Sequence, residues 1–211
     1  MTRADAPKLT WQPSLFGAEV GDAPYVDASF GGVERHRLDA SAWVDECRRW
    51  VSGPDALFTS LVDTLPWEAV DVEMYGRMVP QPRLVARLPS DPGSPPLPAP
   101  LEAMRAALSQ RYGREFDSCG VNLYRDGRDS VAWHGDRIAR TVVNPLVAIV
   151  TLGEARRFLL RPRGGRTELR LEPHAGDLVV MGGTSQRTWQ HSVPKSASAG
   201  PRMSVTFRHS R

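Results

Sequence analysis

The sequence is poor in cysteine, in lysine and in long apolar runs, and each shortage excludes something. Cys47 and Cys119 are the only cysteines among 211 residues, so no disulfide framework is available and a reducing compartment is expected. No apolar run approaches the ~18 residues that a membrane-spanning helix requires. The opening Met1-Thr2-Arg3-Ala4-Asp5 is followed by no apolar segment of the kind a secretory leader carries, so a cytoplasmic location and no membrane partner are expected. Lys8 and Lys195 are the only lysines, and arginine carries nearly all the positive charge.

That charge is unevenly spread. The net formal charge is +3, but residues 1–119 hold 12 Lys+Arg against 17 Asp+Glu, whereas residues 120–211 hold 15 against 7. A basic C-terminal half suits a polyanionic partner, because arginine grips phosphate with two parallel donors. The alternative is that arginine is simply this protein's surface cation, and charge alone leaves both readings open.

Hydrophobic residues at 41% and charged residues at 24% are globular proportions, and the length fits one domain, expected as a monomer, with an N-terminal extension. Residues 1–38 carry scattered Pro, Gly and Asp and are expected to form an arm. Trp43, Val44, Cys47, Trp50 and Val51 recur at helical spacing and predict a helix over 40–52. A second short helix is expected at 56–65, ended before Pro66, and another at 101–112, with Leu101, Met104, Ala107 and Leu108 on one side. Between them, 69–79 alternates apolar and charged residues as a strand does, with a turn at Gly76, and 89–100 holds six prolines and is expected as a loop. After residue 118 the texture changes to short apolar runs at 119–124, 145–152, 156–161, 167–172, 177–181, 188–193 and 202–208, separated by Gly, Asp and Arg turns. Strands of that length and spacing indicate a β-sandwich or barrel. The fold class expected is thus α+β, mainly β, with helices first and a β-sandwich core over 117–211, residues 39–211 forming a single domain.

His134-Gly135-Asp136 is the first chemical signal. Residues i and i+2 of an extended segment face the same way, so an imidazole and a carboxylate converge while Gly135 leaves room between them. His191 follows 55 residues later, far enough for strands to return it. Two histidines and one carboxylate form the facial triad of non-haem Fe(II) oxygenases, which leaves three coordination positions open. An H-x-D tripeptide alone is weak evidence, and His36, His174 and His209 are read as surface or packing residues. Arg202, Ser204, Thr206 and Arg208 are spaced by two and share one strand face, and a guanidinium fork is what the free carboxylate of a dianionic keto acid requires.

Three blocks raise the signal. They are Asn122-Leu123-Tyr124-x-x-Gly127-x-Asp129-x-x-x-Trp133-His134-x-Asp136, Gln186-x-x-Trp189-x-His191-x-Val193-Pro194, and Arg202-Met203-Ser204-Val205-Thr206-Phe207-Arg208. The segment from Pro145 to Phe158, with Arg156, fits between them. In these blocks, over residues 66–88 and 118–208, the chain resembles the AlkB-like Fe(II)/2-oxoglutarate-dependent dioxygenases. The resemblance implies a double-stranded β-helix, or jelly roll, with helices packed on one sheet. It implies that His134, Asp136 and His191 hold Fe(II), that Arg202 pairs with the distal carboxylate of 2-oxoglutarate, that Arg208 faces the other end and that Asn122 and Tyr124 hydrogen-bond the cosubstrate, with Ser204 beside them. It implies O2 as oxidant and oxidative dealkylation of N-alkylated bases of the 1-methyladenine and 3-methylcytosine type in single- or double-stranded DNA, or in RNA, releasing formaldehyde, succinate and CO2.

A base inside a duplex must be flipped out, and a wedge that fills the vacated stack offsets part of the cost. Residues 69–90 resemble the recognition lid of duplex-repairing members: Met74-Tyr75-Gly76 is the candidate wedge, and Arg83 faces the substrate. An edge strand with an ordinary hairpin turn is the competing reading. Where relatives place an aromatic-Gly pair after this segment, the chain reads Leu84-Val85-Ala86-Arg87-Leu88-Pro89. The partner that stacks on the base is therefore unassigned, with His134 a candidate on one side and Tyr75 or Trp67 on the other; Trp133 is read as a core aromatic. The missing aromatics favour an alternative, a 2-oxoglutarate oxygenase that modifies a protein side chain or small metabolite. A non-catalytic jelly roll is a third reading, opposed by the intact triad and Arg202.

Overall fold

The computed structural model describes residue 9 and residues 23–74, 76–88 and 94–211. In chain order the first elements are β1 (Tyr25–Val26), β2 (Val33–Arg37), β3 (Ala42–Cys47), β4 (Val51–Ser52) and α1 (Pro54–Thr64). Then come β5 (Glu68–Met74), β6 (Arg77–Leu88), α2 (Ala99–Tyr112), β7 (Ser118–Tyr124) and β8 (Val131–His134). The chain closes with β9 (Val147–Gly153), β10 (Phe158–Pro162), β11 (Leu169–Leu171), β12 (Leu178–Gly183), the one-turn α3 (Ser185–Thr188), β13 (Trp189–Val193) and β14 (Arg202–Arg208).

An eight-stranded sheet in the order β2-β3-β12-β9-β14-β7-β6-β5 faces a four-stranded sheet in the order β11-β10-β13-β8, and every pairing in both is antiparallel. The large sheet is covered on both faces. On one, Met203, Val205 and Phe207 of β14 join Val150, Leu152, Leu123 and the buried faces of α1 and α2, including Phe58, Leu61, Met104 and Leu108. On the other, Val147, Ile149, Val179 and Met181 meet Phe158, Leu160, Trp189 and Val193 of the smaller sheet. Burial on both sides explains why β9 is buried at all seven positions and shows no alternation in sequence. The expected helices at 56–65 and 101–112 are α1 and α2, and the seven expected strands are β7 and β9 through β14. The antiparallel two-sheet arrangement with helices on one face is the jelly roll anticipated.

The segment 40–52 departs from expectation. It forms strand β3, a break, and β4 instead of a helix. Its apolar residues fit a helical stripe only if Asp45 and Glu46 lie in water. Both are instead buried and paired: Asp45 accepts from Arg35 Nε (2.6 Å) and the Tyr112 hydroxyl (3.0 Å), and Glu46 meets His36 Nε2 (3.3 Å). Arg35 and His36 arrive on neighbouring β2, a contact that no local pattern announces. Arg49, with φ at +52°, ends the strand while its N–H donates to Asp177 Oδ1. Within the expected N-terminal arm, β1 pairs with β4, and β2 extends the large sheet.

Trp67, a candidate to stack on a base, is also corrected. It is 1% exposed among the core residues between α1 and the large sheet, and its indole N–H donates to the Val62 carbonyl at 2.9 Å. A side chain in that place stabilises the fold and meets no ligand. Trp67→Ala is expected to lower stability by about 3–5 kcal/mol in urea unfolding, as large-to-small core changes do; a loss under about 1 kcal/mol would contradict this placement.

Candidate active site

Three donors meet where the two sheets open. His134 ends β8 and His191 lies on β13, directly opposite in register, with ring centroids 4.2 Å apart. Asp136 lies two residues beyond β8, so strand alternation alone does not aim it. Its backbone N–H donates to Gln186 Oε1 at 2.9 Å, and this bond from α3 fixes the loop. Gly135 is needed for that approach: a Cβ there would sit 2.9 Å from the Gln186 carbonyl oxygen. One ligand atom from each of His134, Asp136 and His191 lies within 4.8 Å of the others.

Protonation and hydrogen bonding suit a cation. His134 Nδ1 donates to the Ala132 carbonyl (2.8 Å), which makes Nε2 the ring nitrogen left to face a metal. Burial pushes the His191 imidazole down to about 3, helped by neighbouring His134, so His191 is neutral at physiological pH. For Asp136, burial raises the carboxyl pKa, but Arg208 and the two imidazoles outweigh it, and the net shift is below the ordinary carboxylate range. Asp136 Oδ1 accepts from Arg208 Nη2 at 3.2 Å, while buried Oδ2 has no hydrogen-bond partner among the described residues. A buried ionised oxygen beside two imidazoles, with one ligand atom from each of the three within 4.8 Å of the others, fits Fe(II) in the facial arrangement.

Behind this cluster, β14 presents Arg202, Ser204, Thr206 and Arg208 on the face opposite its core side chains. Arg202 is 1% exposed. Its Nη2 donates to Thr151 Oγ1 at 3.0 Å, and its guanidinium carbon lies 5.2 Å from the Tyr124 ring centre. Nε and Nη1 are buried with no acceptor among the described residues. Asn122 is paired in register with Ser204 and donates to its Oγ at 3.4 Å. Arg83 reaches in from β6, its Nε donating to Asn122 Oδ1 at 3.1 Å. The expected metal and cosubstrate residues are thus neighbours through β7, β8, β13 and β14.

The candidate substrate residues are placed less completely. β5 and β6 form a hairpin whose 77–80 portion pairs with β5 alone, since β7 pairs with β6 only from Leu84 to Leu88. Gly76 turns it with φ at +74°. Met74 ends β5, and Tyr75 lies outside the described residues. Trp133 is corrected: it is half-buried with the Arg161 guanidinium 4.2 Å from its ring centre, a cation–π pair instead of a core aromatic.

Two supporting residues carry no signal of their role in the sequence. Gln186 stands in a matched block, but a bond to another residue's main chain leaves no local pattern. Arg156, also in a matched segment, is 3% exposed and ties the Asp126, Asp129 and Pro194 carbonyls together at 2.7–3.2 Å. Gln186→Leu is expected to weaken Mn(II) binding, measured by titration calorimetry, by ~10–100-fold, the range typical of partners that orient metal ligands; undiminished affinity would contradict this role.

The model of the 2OG-Fe(II) oxygenase superfamily matches residues 76–208. The mouse alpha-ketoglutarate-dependent dioxygenase alkB homolog 3 is 29% identical over 174 residues, which cover 73% of this chain and 60% of the relative. The Arabidopsis thaliana DNA oxidative demethylase ALKBH2 is 31% identical over 192 residues, covering 72% of this chain and 60% of the relative. This chain therefore spans about 60% of the length of these curated relatives. The solved structure of OsALKBH1 aligns with a TM-score of 0.56 at 14% identity, over 83% of this chain and 100% of that one, which supports the shared fold. The chain belongs to the 2OG-Fe(II) oxygenase superfamily as an AlkB-like member, and membership implies Fe(II), 2-oxoglutarate and O2 as its cofactors.

Proposed function

We propose that the protein removes alkyl groups oxidatively from N-alkylated bases of nucleic acid. The observation that carries the oxygenase chemistry is a pair of buried orphans joined through one strand: Asp136 Oδ2 beside the imidazoles, with Asp136 Oδ1 held by Arg208 of β14, and Arg202 Nε and Nη1 at the other end of that strand. A cation satisfies the first and a carboxylate the second. Substrate class rests on relatives named as DNA oxidative demethylases, on the β5–β6 hairpin and on the basic C-terminal half.

When bound, Fe(II) and 2-oxoglutarate supply oxidative decarboxylation coupled to hydroxylation of the N-alkyl carbon. For an N-methyl group the stoichiometry closes: N–CH3 base, 2-oxoglutarate and O2 become N–H base, formaldehyde, succinate and CO2. The protein's own residues orient the reactants. His134, Asp136 and His191 hold iron, and Arg208 keeps Asp136 ionised and turned. Arg202 receives the distal carboxylate of 2-oxoglutarate, with Asn122, Tyr124 and Ser204 along its flank. Burial around His191 and Arg202 keeps bulk water from the reacting centre. Met74-Tyr75-Gly76 is the proposed wedge, and Arg83 of β6 donates to Asn122 beside the cosubstrate residues.

A second reading, oxidation of a protein side chain or small metabolite, is favoured by β6 itself, where Leu84 and Ala86 are buried core residues and 84–88 contains no aromatic. A panel of oligonucleotides carrying 1-methyladenine or 3-methylcytosine, in single and double strands, separates the two. With Fe(II) and 2-oxoglutarate, mass spectrometry is expected to show loss of one CH2 unit from at least one lesion with equimolar formaldehyde, and no loss with His134→Ala. Succinate formation without repair of any lesion would overturn the nucleic-acid reading.

A further inference from the structure

The 137–140 loop, α3 and the start of the β10–β11 turn enclose an open cleft of about 700 Å³ that borders Asp136. Arg137, Arg140, Arg163 and Arg187 line it, and Asp136 is the only acid among its lining residues. That acid is committed to Arg208 on one oxygen and turned toward the metal position with the other.

The four arginines divide into a scaffold and a set of free heads. Arg187 is structural: Nη1 donates to the Ile138 carbonyl (2.8 Å) and Nη2 to the Ala139 carbonyl (2.7 Å), clamping the loop. Arg163 is anchored by Nε on the Arg187 carbonyl (2.7 Å), and its terminal nitrogens make no hydrogen bond or ion pair among the described residues. Arg137 and Arg140 likewise have no acid or hydrogen-bond partner there. Arg35, Arg48, Arg105, Arg125 and Arg128 each meet an acid within 3.0 Å elsewhere on the surface, and what marks the cleft is that three guanidinium heads without an acid gather around one opening. Like charges gathered without counter-ions, two of them on a loop clamped by a fourth arginine, repel one another unless an anion joins them.

We propose that Arg137, Arg140 and Arg163 grip the phosphodiester backbone beside the nucleotide whose base is oxidised. The inference rests on the nucleic-acid reading and adds to it where the strand runs. The guanidinium forks suit phosphate oxygens. The cleft is open, as a continuous strand requires, and its border on Asp136 puts the bound phosphate next to the nucleotide entering the iron pocket. Contacts of this kind position a strand without reading its sequence.

The test is binding of a fluorescent, unmodified oligothymidine to the full chain across a salt series, a readout independent of turnover. The double variant Arg137→Ala/Arg140→Ala is expected to reduce the slope of log affinity against log salt by ~1.4, from ~0.7 for each phosphate of a single strand that is no longer neutralised. Arg114→Ala, after α2 on the other side of the large sheet, is expected to leave the slope unchanged. Unchanged Mn(II) affinity of the double variant verifies that its loop and metal site are intact. An equal slope in wild type and double variant, or preferential binding of polyglutamate over oligothymidine, overturns the phosphate site. If the lesion panel shows demethylation while the slopes are equal, this inference alone fails. If the slope falls but no lesion is repaired, the phosphate site stands and the repair reading fails.

Discussion

The site is organised around one electrostatic constraint, the burial of the Arg202 guanidinium. Removing a cation from water costs on the order of several kcal/mol unless partners replace its hydration. Here Thr151 Oγ1 takes one donor and the Tyr124 ring offers its face, while Nε and Nη1 have no acceptor among the described residues. Arginine does not escape by losing its proton. The fold therefore holds a positive charge in a dry place where a carboxylate is the fitting complement, and the cost is borne by the packing of β14 between β7 and β9.

Strand β14 transmits that constraint to the metal position. Its core-facing Met203, Val205 and Phe207 lock the strand against the helices, which fixes the opposite face in space. One end of that face presents Arg202 and the other Arg208, whose Nη2 holds Asp136 Oδ1. The metal ligands and the buried guanidinium are thus coupled through one strand that packing on both faces prevents from shifting register. Gln186 and Gly135 complete the arrangement from α3 and the metal loop, where no regular secondary structure would hold an acid in position.

Legibility in the sequence follows how local each cause is. The β14 face can be read because a two-residue period survives in Arg202-Met203-Ser204-Val205, with polar and apolar faces cleanly separated. His134, Asp136 and His191 stand in spaced blocks that resemble a known family, and the donors do converge. The 40–52 segment misleads because both faces of β3 are buried and its acids find partners on another strand, which erases the strand period and leaves an accidental helical one. Trp67 and Trp133 both depart from their expected roles for a similar reason: whether an aromatic is core or half-buried depends on neighbours such as α1 and Arg161, which the tertiary fold sets. The hairpin is legible as a hairpin, whereas Tyr75 lies outside the described residues.

The central claim is that the three metal ligands and Arg202 form one two-ended receptor for a five-carbon diacid. It is tested most directly by titrating 2-oxoglutarate into the Mn(II)-loaded and metal-free protein, each as wild type and as Arg202→Ala, by calorimetry. The predicted result is that 2-oxoglutarate binds the metal-loaded wild type at least ~100-fold more tightly than the Arg202→Ala protein, as expected for about 3 kcal/mol of charged hydrogen bonding, and that removing the metal weakens it further. Equal affinity with and without the Arg202 guanidinium, or with and without metal, would contradict it.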